Sequence, residues 1–211
     1  VACGPEPMDV DGGGVADAGT DGGREIDAGQ IDAGPRDAGS DAGAAPITAI
    51  QAAVEMVGGF NVGNTFDADQ HPRAPSSVSA MIDAYYGEGF RMVRIPIRWL
   101  GSDWGEGLLA DDTGVVDRSH PRLSDLEAAV DHALELGMYV VINTHHEDWL
   151  FERAWSEGQL ASFQRLWSDI CDIFADRGYH LVLEIVNEPH GTIESDSVAV
   201  QALNQTAYDV I

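Results

Sequence analysis

Leu181-Val182-Leu183-Glu184-Ile185-Val186-Asn187-Glu188-Pro189 is the stretch whose reading decides the fold. It is nearly continuous in apolar residues, as a strand covered on both faces must be. Its end is polar, and Pro189 stops the ladder because it has no N–H to donate. Strand alternation puts Val182, Glu184, Val186 and Glu188 on one face, with Glu188 at the carboxyl end where a pocket would open. A half-sheltered carboxyl there would have a raised pKa and could act as a general acid. The plainer alternative is a solvated glutamate at a strand end.

Working outward, the same pattern recurs. Short apolar strands are expected at Phe60–Gly63, Met92–Ile97 and Tyr139–Thr144, with the fourth over Leu181–Val186. Helices are expected between them. The first covers Ile47–Val57. The second is capped by Ser76 or Ser77 and carries Val78, Met81, Ile82 and Tyr85 on one face. The third is opened by a Ser124/Glu127 capping box. The fourth covers Leu160–Ala175, where Cys171 falls on the apolar stripe as a buried thiol. A last helix starts at Val198. Apolar strands separated by helices pair in parallel with the helices outside. No Gly-x-Gly-x-x-Gly follows the first strand and no Walker sequence occurs, so a nucleotide-binding fold is demoted. Ionisable groups gather where the strands end, which is how a (β/α)8 TIM barrel builds a site. Only about the first four of eight βα units are present, so the expected fold is the first half of a barrel, over residues 47–211.

The rest of the sequence is of another kind. The chain has 211 residues with 36 acidic and 11 basic ones, a net charge of −25, and every basic residue is Arg. Such a surface repels phosphate backbones, so no nucleic acid is expected as a partner. Residues 1–46 repeat Asp-Ala-Gly five times and hold almost no bulky apolar side chains. Glycine freedom and like-charge repulsion make this a flexible, disordered tether. A Ca²⁺-binding repeat would add apolar strand positions, which are missing. Val1-Ala2-Cys3-Gly4 looks like the end of a bacterial lipobox, with Cys3 lipidated, against the blander reading of a chance cysteine. Together these features predict an exported, surface-attached protein held to a membrane through Cys3.

Several residues are candidates for chemistry. Glu184 and Glu188 are too far apart to be a hydrolytic pair, since four strand residues span about 13 Å and paired carboxyls work at about 5–9.5 Å. Glu184 therefore reads as a structural carboxylate paired with an arginine. Arg94, mid-strand among apolar residues, needs such a partner. His145-His146-Glu147-Asp148 has the ligand types of a metal site. Adjacent strand residues face opposite ways, so this run alone does not close a tetrahedron and no metal or other cofactor is expected. Trp99, Trp104, Trp149 and Trp155 lie in loops, where they either stack on sugar rings or pack the loops.

Four ordered segments then converge on one family. Gly59-Phe60-Asn61-Val62-Gly63-Asn64-Thr65-Phe66-Asp67-Ala68, Gly89-Phe90-Arg91-Met92-Val93-Arg94-Ile95-Pro96-Ile97-Arg98-Trp99, Gly137-Met138-Tyr139-Val140-Val141-Ile142-Asn143-Thr144-His145-His146-Glu147 and Leu183-Glu184-Ile185-Val186-Asn187-Glu188-Pro189 resemble successive strands of family 5 glycoside hydrolases, the endo-β-1,4-glucanase group. The resemblance implies a barrel that hydrolyses β-linked polysaccharides with retention of configuration and without a metal. By it, Glu188 is the acid/base, Asn187 binds the sugar 2-OH, Arg94 orients the nucleophile, and His145 is an active-site histidine. His146, Trp149 and Asn64 are substrate-binding positions. Phe60 departs from the Trp often found in the first segment. The family's nucleophile Glu, on strand seven, has no counterpart within residues 1–211. The alternatives are a glycan-binding surface lipoprotein that has lost catalysis, and a metal-dependent hydrolase using His145 and His146.

Overall fold

The computed structural model describes residues 47–68, 74–100, 109–151, 156–194 and 196–211. The tether of residues 1–46, Cys3, Trp104 and Trp155 lie outside the described residues. No described helix is long and apolar enough to cross a membrane.

Strands β1 (Gly59–Asn61), β2 (Met92–Ile95), β3 (Tyr139–Asn143) and β4 (Leu181–Glu184) form one parallel sheet in the order β1-β2-β3-β4. Helices α1 (Ala49–Glu55), α2 (Pro75–Gly87), α3 (Pro121–Glu135), α4 (Asp148–Phe151), α5 (Glu157–Phe174) and α6 (Ser197–Tyr208) precede, connect and follow them. Each strand lies beside its predecessor. This is the progression of a barrel, whereas a doubly wound sheet reverses its order at a switch point. Val93, Ile95, Val140 and Ile142 form one face of the sheet and join the core with Val78 and Ile82 of α2, Leu126 and Val130 of α3, and Phe163, Trp167 and Ile170 of α5. Each such side chain contributes about 1.5–3 kcal/mol through burial.

The element ends differ from expectation for local reasons. β2 stops at Ile95 because Pro96 lacks an N–H, and Ile97 makes only an isolated bridge to Phe66. β4 stops at Glu184, not Val186. Neither Ser76 nor Ser77 caps α2, which starts at Pro75 after an Ala74 cap with no side-chain bond; proline at the first position already has a helical φ. The Ser124/Glu127 capping box does not form. The ring of His120 accepts from Arg122 N–H instead, again with a proline next. Glu127 is engaged elsewhere, by Arg177 just past α5, which also binds Asp131. Cys171 is only half-buried, and burial still pushes its thiol pKa up. Trp99 is no exposed loop aromatic: it is wholly buried, and its indole N–H donates to Asn143 O at 2.9 Å.

Between β2 and α3, residues 109–120 pack against α5. Val116 N–H donates to Asp169 Oδ2 at 2.8 Å. At Gly114, φ is 85°, and a Cβ added there would lie 2.0 Å from Ser162 O.

Candidate active site

The sheet face opposite the core is polar at its carboxyl end. Alternation brings Asn61, Arg94, Asn143 and Glu184 to it, and the register sets Asn61 beside Arg94 and Asn143 beside Glu184. Arg94 is the hub. Its Nε donates to Glu184 Oε2 at 2.7 Å and its Nη2 to Glu184 Oε1 at 2.8 Å, a bidentate pair. Nη2 also donates to Asn187 Oδ1 at 2.8 Å, and Nη1 to Asn61 Oδ1 at 3.1 Å. A guanidinium has five N–H donors, so among the described residues one on Nη1 is left over. Burial pushes the Glu184 carboxyl pKa up, but the hydrogen bonds and charge of Arg94, helped by Asn143, outweigh it and hold it below the usual range. The hydrogen bond to Glu184 in turn raises the pKa of Arg94. The expected structural pairing of Arg94 and Glu184 is thus present.

Past β4 the chain stays close to β3 without forming a ladder. Asn187 N–H donates to Thr144 O at 3.0 Å, and Thr144 Oγ1 donates to Ile185 O at 2.5 Å. This sets Asn187 where Arg94 reaches it. Glu188 follows with φ 40°, a left-handed backbone uncommon outside glycine. The half-sheltered Glu188 expected from strand alternation is not found. Alternation ends with β4 at Glu184, and Glu188 is exposed. His190 Nδ1 donates to the Glu188 carbonyl at 2.8 Å, which holds the turn.

A second group gathers past β3. Because β3 ends at Asn143, the rule that adjacent residues face opposite ways does not apply to His145 and His146. His146 has φ 53°, and the two rings meet edge to face with centroids 4.2 Å apart. Asp67, buried, lies with Oδ2 3.9 Å from His145 Nε2. Its Oδ1 accepts from Thr65 N–H at 2.9 Å. One ligand atom from each of Asp67, His145 and His146 lies within 4.8 Å of the others, so the two histidines share one site with a residue from outside their run, although strand alternation had set them on opposite faces. Burial, assisted by His146, lowers the His145 pKa to about 4 against the pull of Asp67, so the ring is neutral at pH 7.

Glu147 fixes the floor beneath these residues. It is fully buried and accepts from Trp99 N–H at 2.7 Å, Leu100 N–H at 3.2 Å and Trp149 Nε1–H at 2.7 Å. Burial pushes its pKa up to about 7, with the three donors and Arg98 opposing. The expected sugar-stacking position Trp149 is half-buried in α4, with its N–H committed to Glu147. Asn64 is exposed on the loop after β1 at φ 54°. The structure therefore links Arg94 with Asn187, and His145 with His146. The sequence reading did not single out Asn61, Asp67 or Asn143, and it took Glu147 for a candidate metal ligand where the structure buries it among three N–H donors. Asn143 was within its reach by parity with Tyr139 and Val141. Asp67 was not, because its approach to His145 depends on a loop.

Comparison with known proteins places this arrangement. The family model Cellulase (glycosyl hydrolase family 5) matches residues 55–211. Endoglucanase A of Ruminococcus albus is 32% identical over 184 residues, covering 78% of this chain and 49% of its own length. Endoglucanase B of Clostridium cellulovorans is 35% identical over 148 residues, covering 68% of this chain and 32% of its own. Among solved structures, a GH5-4 broad specificity endoglucanase from Ruminococcus flavefaciens superposes with a TM-score of 0.66 at 30% identity, covering 80% of this chain and 52% of that one. A GH5-4 broad specificity endoglucanase from Ruminococcus champanellensis with bound cellotriose gives 0.63 at 25% identity, covering 78% and 53%. The chain spans about half the length, or less, of these relatives. With the strand order and the Arg94–Glu184–Asn187 network, the match over residues 55–211 shows that the chain belongs to the cellulase family, glycosyl hydrolase family 5.

Proposed function

We propose that the whole protein is a retaining endo-acting β-1,4-glucanase whose sheet closes into a (β/α)8 barrel. The observation that carries this reading is the join between Arg94 and Asn187 at the carboxyl end of the sheet, with Glu188 next in the chain. Exposure of Glu188 at the mouth suits a group that protonates a leaving glycosidic oxygen and then activates water. Asn187 has its carboxamide oxygen held by Arg94, and its NH₂, without a partner among the described residues, can donate to the sugar hydroxyl beside the reacting carbon. The remaining N–H of Arg94 suits a second carboxylate, the nucleophile, supplied by a later strand of the barrel. The endoglucanase names of the relatives and the cellotriose held by one solved structure support a β-linked glucan as substrate.

The test is turnover of a soluble β-1,4-glucan by the whole protein, with product configuration followed by NMR. Retention supports the reading; inversion, or no turnover by the folded whole protein, overturns it. Residues 1–211 alone should be inactive, because they carry one of the two carboxylates. Export and lipid attachment at Cys3 belong to the same proposal. Labelled fatty acid should enter the protein in its bacterial host and be lost in Cys3→Ala.

A further inference from the structure

Asn143, at the end of β3, is buried within this site. Its Oδ1 accepts from Ile97 N–H at 3.2 Å, which settles which end of the amide is which. Its NH₂ therefore points the other way, to His145 Nδ1 at 3.3 Å. Glu184 sits beside Asn143 across the ladder, and the Asn143 side chain favours its charged carboxylate. An amide NH₂ only donates, so His145 Nδ1 can only accept. In a neutral imidazole the proton is then on Nε2.

We infer that Asn143 is a positioning residue that fixes His145 as the Nε2–H tautomer, so that His145 Nε2–H and Asp67 Oδ2, 3.9 Å apart, form a donor–acceptor pair for one sugar hydroxyl. A hydroxyl oxygen can accept from the ring and donate its own proton to the carboxylate. The direct contact is too long to be a hydrogen bond, so neither group satisfies the other. Asp67 is kept in place by Thr65 N–H on its other oxygen. Both nitrogens of His145 are thereby assigned. Nδ1 is occupied by Asn143 and Nε2 carries a proton, so the Asp67, His145 and His146 group recognises hydroxyls and is not a metal site. The role in sugar binding rests on the proposed glucanase function; the tautomer does not.

The two parts are tested separately. Imidazole nitrogen shifts and N–H couplings of the folded chain at pH 7, without substrate, read the tautomer directly. Wild-type protein should carry the His145 proton on Nε2. In Asn143→Asp a carboxylate oxygen replaces the NH₂ and should draw a proton onto Nδ1. A wild-type proton on Nδ1 overturns the inference, and this outcome needs no variant to fold. In the whole enzyme, Asn143→Asp should raise KM for soluble glucan about tenfold or more, the size of one charge-assisted or neutral hydrogen bond. Asp67→Asn should raise it similarly without moving the His145 proton. If the tautomer is as stated but both variants keep wild-type KM, the hydroxyl-binding pair is overturned. If the whole protein turns over no glucan, the function proposal fails while the tautomer result stands.

Discussion

Glu184 and Glu188 leave the same strand four residues apart and end in opposite conditions. Glu184 is on the ladder, gripped by two Arg94 N–H groups, and its pKa is held below the usual range. Glu188 is beyond the ladder, exposed, on a left-handed backbone. Sequence parity makes the two look equivalent. The difference is that the ladder ends between them, and with it the geometry that forces a partner on a side chain. A carboxylate that is already paired organises its surroundings. One beyond the ladder faces solvent instead.

That contrast can be broken by substitution. In the whole enzyme, Glu188→Gln should lower kcat by about 10²–10⁴ on substrates with poor leaving groups, the usual worth of a positioned acid. Its unfolding free energy from a urea melt should stay within about 0.5 kcal/mol of wild type, as for an exposed site. Wild-type rates in Glu188→Gln would remove its acid/base role. Glu184→Gln should do the reverse in kind. It leaves Arg94 without its counter-charge and should cost about 1–3 kcal/mol of stability in a urea melt. A loss of activity with no loss of stability would mean that Glu184 and Glu188 have been assigned the wrong way round.

Glu147 sharpens the comparison as a third carboxylate, fully buried. Its pKa is about 7 folded against 4.5 in the ordinary state. Between those values the folded chain keeps a proton that the unfolded chain has released, so stability falls as pH rises from about 4.5 to 7 and then levels. His145 works in the other sense. Its pKa is about 4 folded against 6.5, so its contribution rises with pH across that window and is lost as pH falls through 4. Urea midpoints across pH 4.5–7.5 should therefore change little in wild type, and should rise with pH in Glu147→Gln. A falling profile in that variant would show that Glu147 is not the source. The smallest effect is Trp149→Phe, which removes one N–H from Glu147 and should cost about 0.5–1.5 kcal/mol.

Much of this was legible in the chain. The apolar runs and their polar ends located all four strands, because a parallel strand must be apolar on both faces. The pairing of Arg94 with Glu184 followed from the cost of an unpartnered arginine. The ends were less legible. At α3 a histidine cap with Pro121 prevailed over the Ser124 box, since the helix had already begun. The histidine run was judged by strand alternation, which ends at Asn143, and nothing in a Thr-His-His-Glu run announces the positive φ of His146. Trp99, open in the sequence between sugar stacking and packing, is a core residue whose N–H finds a strand carbonyl. Fold signals are periodic, so they survive in sequence. Site geometry depends on single torsions where periodicity has stopped.

The close approach at Gly114 has a consequence for heredity and for engineering. With no room for even a methyl group against Ser162 O, this loop and α5 fit each other as a key fits one lock. A saturation library at position 114 should return glycine alone. Chimeras with homologous enzymes should succeed when residues 109–120 and 157–174 are exchanged together, and fail when either is moved without the other.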